Sequence, residues 1–340
     1  KEEKETIKAL YERGIKNGVE GLEIIPPARV KLLEPNVADT VEGALLAKTA
    51  AVVSPWELCL ALAETAVQND CILKLDTEVQ SITKLDAKGF AIKTDKGELK
   101  AKYVFNAAGN HSDDIHNMVA KPSFEILPSR GEYFLLDKCE GTRVNHVLFQ
   151  CPGRLGKGVL VAPTVHGNLI VGPSSDEASK DDVANTSESL NTVRQRALRS
   201  VPSINFGQNI RNFSGVRANS TNDDFIIGEA DDVNGFFDLA GIRSPGLTAA
   251  VAIGELCVDF LKNKGETLNL KENIVDTRKR ISFNSLNAEE KNILIKKTPS
   301  YGRVICRCEN ITEGEILACL KTPIPPVSVD GVKRRVGTGM

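Results

Sequence analysis

The sequence predicts a mixed α/β fold (α+β) with a mainly antiparallel sheet in its middle third, and three observations carry the prediction. Residues 236–240 read as a short buried strand that passes through the tight loop Gly241-Ile-Arg-Ser-Pro-Gly246 into an apolar helical pattern over 248–261. Residues 71–106 alternate in short bursts, with turns at Lys88-Gly89 and Lys96-Gly97, which is the pattern of a β-meander. Further strand patterns at 124–136, 145–150, 158–163, 168–171 and 210–219, with a single helix at 187–201, suit an antiparallel sheet. With 340 residues the chain is long enough for two domains and a sizeable core.

The remaining elements follow in order. A charged helix over 2–17 is closed by Gly18. A short helix over 28–34 stops before Pro35, because the residue ahead of a proline leaves the α region. Residues 43–53 read as strand. Ser54-Pro-Trp-Glu57 starts a helix running to Asn69, with Ser54 as N-cap, Pro55 in the first turn and Glu57 at the capping-box position. The meander is placed at 72–75 with 78–85, then 90–94, then 99–106. A charged connector over 267–298 carries a helix at 288–297, and a last helix falls at 313–320.

Composition excludes several classes. The net charge of −2 leaves no nucleic-acid footprint. No run approaches the apolar length of a membrane-spanning helix, and no signal peptide opens the chain. Eight cysteines, mostly single and in apolar settings as at Cys59 and Cys257, suit a reducing cytoplasm and not a disulfide scaffold. A peripheral position at a membrane stays open.

Chemistry concentrates at a few places. The 241–246 loop delivers backbone N–H groups and a positive dipole end to a helix start, where a flat electron-rich or anionic group can sit; an ordinary strand–helix turn would look alike. Asn106-Ala-Ala-Gly109 ends a buried strand on small residues that admit a ligand to the backbone, or that simply pack. Arg217, in Ser214-Gly-Val-Arg217, is a fork for a carboxylate or phosphate; its plainer reading is an ion pair with Asp223 or Asp224. In Arg130-Gly-Glu-Tyr133, alternation puts Glu132 on one face and Tyr133 on the other, so Tyr133 can reach a ligand or lie half-buried. His111, His116, His146 and His166 have no local acid, and structural or surface roles are expected for them. Cys306-Arg-Cys308 places two thiols on one loop.

Gly241-Ile-Arg-Ser-Pro-Gly-Leu-Thr-Ala, with Asn106-Ala-Ala-Gly109, Arg130-Gly-Glu-Tyr133, Ser214-Gly-Val-Arg217 and Cys306-Arg-Cys308, resembles FAD-dependent oxidoreductases of the D-amino-acid-oxidase type. Within them it is most similar to the branch of L-2-hydroxyglutarate oxidase and anaerobic glycerol-3-phosphate dehydrogenase. The resemblance runs from Glu12 to the end of the chain. It implies a partial FAD-binding domain with an inserted substrate domain, and hydride transfer from a small anionic 2-hydroxy compound to FAD. L-2-hydroxyglutarate is favoured over glycerol 3-phosphate on the loop sequence, although Arg243 departs from the small or acidic residue expected there. Carried over residue by residue, the cofactor-binding positions are Val79, Ala108, Gly109, Gly241, Ile242, Pro245, Gly246, Leu247 and Thr248. The substrate-binding positions are Arg217, Tyr133 and Arg130. The electron acceptor would be a quinone or an electron-transfer protein.

The family's opening strand and Gly-x-Gly-x-x-Gly turn are absent; Gly153, Gly156 and Gly158 are wrongly spaced. The chain is therefore expected to be a fragment whose catalytic base lies upstream of Lys1, and which binds FAD weakly. Cys306-Arg-Cys308-Glu-Asn-Ile-Thr-Glu resembles the opening of a 2Fe–2S domain of the bacterioferritin-associated-ferredoxin type, and Asp330-Gly-Val-Lys-Arg-Arg335 its continuation up to Met340. Cys306 and Cys308 would be half of its ligand set, Cys319 a poor substitute, and the residues after Gly302 poorly packed. The expected division is 1–53 as the start of the substrate domain or cap and 54–120 as part of the FAD domain. The antiparallel substrate domain takes 121–223, the end of the FAD domain 224–265, a linker 266–300 and the partial 2Fe–2S module 301–340. A second class, a non-catalytic binding or scaffold fragment, is the alternative to an enzyme.

Overall fold

The computed structural model describes residues 2–339 other than 87, 88, 154–157, 223 and 279, so Lys88 of the first expected turn, Gly156, Asp223 and Met340 lie outside the described residues. The elements run α1 (Glu2–Lys16), β1 (Leu22–Ile25), α2 (Pro27–Leu33), β2 (Ala44–Ala47), α3 (Pro55–Gln68), β3 (Val79–Lys84), β4 (Phe90–Thr94), β5 (Gly97–Ala101), β6 (Val104–Asn106) and α4 (Ser112–His116). Then come β7 (Ile126–Leu136), β8 (Leu148–Phe149), β9 (Leu160–Pro163), β10 (Leu169–Gly172), β11 (Asp176–Glu177), α5 (Ser187–Ser200), β12 (Asn209–Ser220), β13 (Ile226–Glu229), β14 (Phe236–Ala240) and α6 (Gly246–Asn263). The chain closes with α7 (Ala288–Lys297), β15 (Val304–Cys306), β16 (Ile311–Thr312), α8 (Glu313–Cys319) and α9 (Val329–Val336).

These elements form two compact units: residues 1–53 with 77–266, and residues 54–76 with 267–340. In the first unit, β7 carries the substrate-side sheet. It pairs antiparallel with β10, β11 and, along nearly its whole length, β12, where Gly215 opposes Gly131 and Phe213 opposes Tyr133. One face of this sheet is closed by α5. Its Val193 and Ala197, with Val201 just past its end, stand at helical spacing and pack fully buried with Leu136, Leu169 and Val171. Each such valine or leucine contributes about 1.5–3 kcal/mol of burial.

The mixed α/β reading holds, and a three-stranded sheet accounts for it. β14 lies parallel to β6 and antiparallel to β13, and Phe236, Phe237 and Ala240 are almost wholly enclosed. A central strand covered on both faces draws apolar side chains to both faces of the pleat, and its polar member, Asp238, is buried against Asn106 and His116. β3, β4 and β5 form the expected meander, but Ile72–Leu75 is not its first strand: no strand is assigned there and Ile72 is 81% exposed. Of the strand expected over 43–53, only Ala44–Ala47 pairs, with β1.

In the second unit, Ser54 caps α3 by accepting from the Glu57 N–H, as expected. The expectation of loose packing after Gly302 is overturned. Cys306, Ile311, Cys319 and Val336 are buried together, with Ile316 and Val332 against them. Thr312 and Glu315 close a reciprocal capping box at the start of α8. α9 was not anticipated; Ser328 caps its start and Gly337 ends it in the left-handed region, at φ 76°. Among the described residues no helix is long and apolar enough to cross a membrane.

Candidate functional site

A cavity of about 2190 Å³ opens in the first unit. That exceeds the volume of an ordinary small-ligand pocket about twofold, so it has room for a ligand larger than a small acid. The loop after β14 forms part of its wall. Gly241 turns the chain at φ 62°, and a Cβ there would meet Ser220 Oγ at 2.8 Å. The loop is then tied to itself: Arg243 N–H donates to the Gly241 carbonyl at 2.9 Å and Gly246 N–H to the Arg243 carbonyl at 2.6 Å. α6 starts behind Pro245 with no side-chain cap and no acid in its first turn. The N–H groups of Leu247 and Thr248 precede the first intrahelical bond, made by Ala249, and both residues line the cavity. A positive helix end left uncapped beside a cavity fits the electron-rich edge of a flat cofactor.

Of the expected cofactor positions, Gly109, Ile242, Pro245, Gly246, Leu247 and Thr248 stand together on this wall. Gly241 shapes the loop from beneath. Val79 and Ala108 are not on the cavity wall.

Opposite strand pairs place the candidate substrate residues. Along β7 and β12 the side chains of Ser129, Gly131 and Tyr133 share a face with those of Phe213, Gly215 and Arg217. Tyr133, Ser129 and Arg217 line the cavity. The Tyr133 ring stacks on Phe213 with centroids 5.1 Å apart and planes within 8°. Burial pushes its phenol above the usual tyrosine range, against the opposing pull of Arg217 beside it. Arg217 donates from Nη2 to the Ser174 carbonyl at 3.0 Å. Among the described residues it makes no ion pair, with Asp224 or any other acid.

Arg130 is a correction. Alternation sends it to the other face, where it is 7% exposed, paired with Asp182, with Nε 3.2 Å from the Glu132 carboxylate. Glu132 is fully enclosed and accepts from the Thr186 N–H at 2.7 Å and hydroxyl at 3.0 Å. The pair anchors the start of α5 and does not reach the cavity.

For the histidines the expectation of no local acid fails only at His111, whose partner Asp114 is three residues on; three also have carboxylate partners from distant sequence. His116 and Asp238 are buried at 2.7 Å. His111 lies between Asp114 and Asp181, and the Asp114 hydrogen bond, more than Asp181, raises its pKa. His146 lines the cavity with Nδ1 2.7 Å from the buried Glu34. Sequence reasoning missed Ser174, Ser129, Arg29, Lys48, Arg196 and His146 on the wall. The charge of Arg29, Lys48 and Arg196 and the imidazole of His146 were the visible signals.

In the second unit the Cys306 and Cys308 sulfurs are 3.3 Å apart, and the Gly339 N–H donates to Cys306 Sγ at 3.3 Å. That donor, with the Glu309 backbone and the Cys308 thiol, brings Cys306 down to about 7. The Cys306 partner raises Cys308 in turn. Cys319 shares their small core. All eight cysteines are free thiols, and among the described residues no three metal-ligating side chains converge.

The family described as FAD dependent oxidoreductase (DAO) matches residues 1–260. The chain is similar to a glycerol 3-phosphate dehydrogenase of Caloramator mitchellensis, 47% identical over 341 residues, covering 100% of this chain and 71% of that protein. It is more distantly similar to the mitochondrial L-2-hydroxyglutarate dehydrogenase of Mus musculus, 30% identical over 53% of this chain and 41% of that protein. Among solved structures, the dithionite-reduced L-alpha-glycerophosphate oxidase of Mycoplasma pneumoniae with FAD bound superposes with a TM-score of 0.75. It is 30% identical over 80% of this chain and 72% of that one. The alternative of a non-catalytic scaffold finds no support in these likenesses.

Proposed function

Because the chain belongs to the FAD dependent oxidoreductase family, we propose that it forms the substrate side of an enzyme oxidising the secondary alcohol of glycerol 3-phosphate. This reverses the order in which the loop sequence ranked the two substrates. The 47% likeness to a glycerol 3-phosphate dehydrogenase supports it over the full chain, whereas the L-2-hydroxyglutarate relative matches about half. The observation that carries it is Arg217, a guanidinium on the cavity wall that makes no ion pair among the described residues. Beyond its bonds to the Ser174 carbonyl and the Tyr133 phenol, the fork has further N–H groups to offer phosphate oxygens.

Gly109 and the loop ending at Thr248 would hold the cofactor, with the Leu247 and Thr248 N–H groups toward its electron-rich edge. When bound, FAD supplies the acceptor for the hydride that leaves the alcohol carbon. Arg217 fixes the acidic end, and Tyr133 offers a neutral hydroxyl beside it. Neither takes the alcohol proton near neutral pH, since arginine stays charged and the Tyr133 phenol is held protonated. The apolar ring pair of Tyr133 and Phe213 keeps water from one side of the bound carbon chain.

Electrons would pass to a quinone or an electron-transfer protein. Cys306 and Cys308 fit two thiolate ligands of a 2Fe–2S centre by their spacing and the low Cys306 pKa, but the described residues supply only half of a four-thiolate set. This reading adds that the chain alone holds no cluster. The free thiols agree with a reducing compartment.

The test is anaerobic mixing of the flavin-loaded full-length enzyme with each substrate while flavin absorbance is followed. Glycerol 3-phosphate should bleach the flavin with a rate constant per substrate concentration about 100-fold above L-2-hydroxyglutarate. Faster bleaching by L-2-hydroxyglutarate would install the second reading, and bleaching by neither would remove both.

A further inference from the structure

We propose that Gly131 is a positioning residue: the space left by its missing side chain is the seat of the Arg217 guanidinium, and it sets how the fork is presented to the substrate. The inference rests on the reading of Arg217 as the acid anchor.

Glycine in the middle of a long strand weakens it relative to alanine, so its place in β7 calls for a reason. The backbone is not the reason, because Gly131 is not among the glycines with positive φ. The reason is spatial. A Cβ at 131 would lie 2.1 Å from Arg217 Nη2, 2.8 Å from Cζ and 2.9 Å from Pro173 Cβ. Contacts under about 3 Å are not tolerated between heavy atoms without displacement. The displaced group would be the guanidinium, because the other side of the seat is fixed. Arg217 Nη2 donates to the Ser174 carbonyl. Ser174 is itself pinned to β7, donating its N–H to the Glu132 carbonyl at 3.2 Å and accepting from the Glu132 N–H at 3.2 Å. Its hydroxyl also donates to Asp176 at 2.5 Å. The guanidinium is thus held between a rigid carbonyl and bare backbone.

The strand pair contains its own control. Gly215 faces Gly131 directly, yet a Cβ there meets nothing within 4 Å. Two opposed glycines on one face therefore have different consequences when a methyl is added.

The experiment uses the flavin-loaded full-length enzyme with glycerol 3-phosphate as substrate and inorganic phosphate as a competing anion. Gly131→Ala should raise KM and the phosphate inhibition constant about tenfold or more, with the flavin spectrum and Tm near wild type. Gly215→Ala should change neither. In a double-mutant cycle the penalties of Gly131→Ala and Arg217→Lys should not multiply, because a slim ammonium does not occupy the seat. Wild-type KM for Gly131→Ala beside an impaired Arg217→Lys overturns the seat and leaves the anchor standing. An unimpaired Arg217→Lys overturns the anchor and the seat with it. If Gly131→Ala does not fold, adding Arg217→Ala should restore folding by removing the clashing group, and failure to restore it overturns the proposal.

Discussion

Arg130 and Arg217 occupy one pair of strands and differ in almost every physical respect. Arg130 stands opposite Val216 in the register, so it and Arg217 project from opposite faces of the sheet. The Arg130 face is closed: Glu132 has no exposed surface, and Asp182, Thr186 and α5 cover it. The Arg217 face is open to the cavity, its guanidinium committed to a carbonyl and a tyrosine and, among the described residues, to no carboxylate. A charge compensated by acids inside a sheet holds the scaffold still; a charge left uncompensated on a wall is available to an anion from outside. The same residue type does both jobs because a pleat separates neighbours by face.

The contrast can be broken first on the closed side. Glu132→Ala removes the acceptor for the Thr186 N–H and hydroxyl and leaves Arg130 with Asp182 alone. The expected cost is about 3–5 kcal/mol of stability. Urea unfolding measures it, and phosphate affinity of the folded fraction should stay as in wild type. A loss under about 1 kcal/mol would mean that water compensates this face and that it is not closed.

On the open side the sign of the contrast inverts. Arg217→Lys should leave the unfolding midpoint unchanged and lower kcat/KM for glycerol 3-phosphate about 10–100-fold, because an ammonium cannot make a two-pronged contact. A stability loss with intact kinetics would put Arg217 in the same class as Arg130.

Tyr133 gives the smallest effect and sharpens the picture. Its folded pKa is raised above the unfolded value of about 10, chiefly by burial. The stability this contributes is fully present below about pH 10 and is lost as pH rises through the folded value. Tyr133→Phe should therefore lower kcat/KM only about 2–10-fold and leave the pH profile between about pH 6 and 9 unaltered. A basic limb in that range that disappears in the variant would show that the phenol ionises during turnover.

Much of this was legible in the sequence, and the failures have identifiable causes. β14, the Ser54 cap and α7 announce themselves locally, through a run that is apolar but for Asp238, a capping pair and a periodic pattern. The alternation that separates Glu132 from Tyr133 also puts Arg130 with Glu132, so its burial was readable from the pleat alone. Its partner Asp182 lies 52 residues away and was not. The pairing of His146 with Glu34 across 112 residues was equally out of reach. Residues 72–75 have strand composition, but their backbone finds no neighbouring strand to pair with. α9 carries a serine start and a glycine stop, local signals that the resemblance of 330–335 to the continuation of a 2Fe–2S domain obscures.

One further contact bears on how this chain can be divided. Glu64 on α3 is 2% exposed and takes Arg278 Nε at 2.6 Å and Arg335 Nη1 at 2.8 Å. Its two partners come from the connector and from α9, on the far side in sequence of everything from Thr77 to Glu266. The second unit is thus discontinuous along the gene, and this buried carboxylate joins its pieces alongside the exposed contacts Arg280–Glu57, Lys271–Asp70 and Asn69–Val275. A truncation after Glu266 would not excise a module cleanly; it would strand Glu64 as a buried, uncompensated charge on a helix left behind. Engineers who trim this tail would have to replace Glu64 with an apolar residue in the same step, and lineages that lost the tail would be expected to have changed that position too.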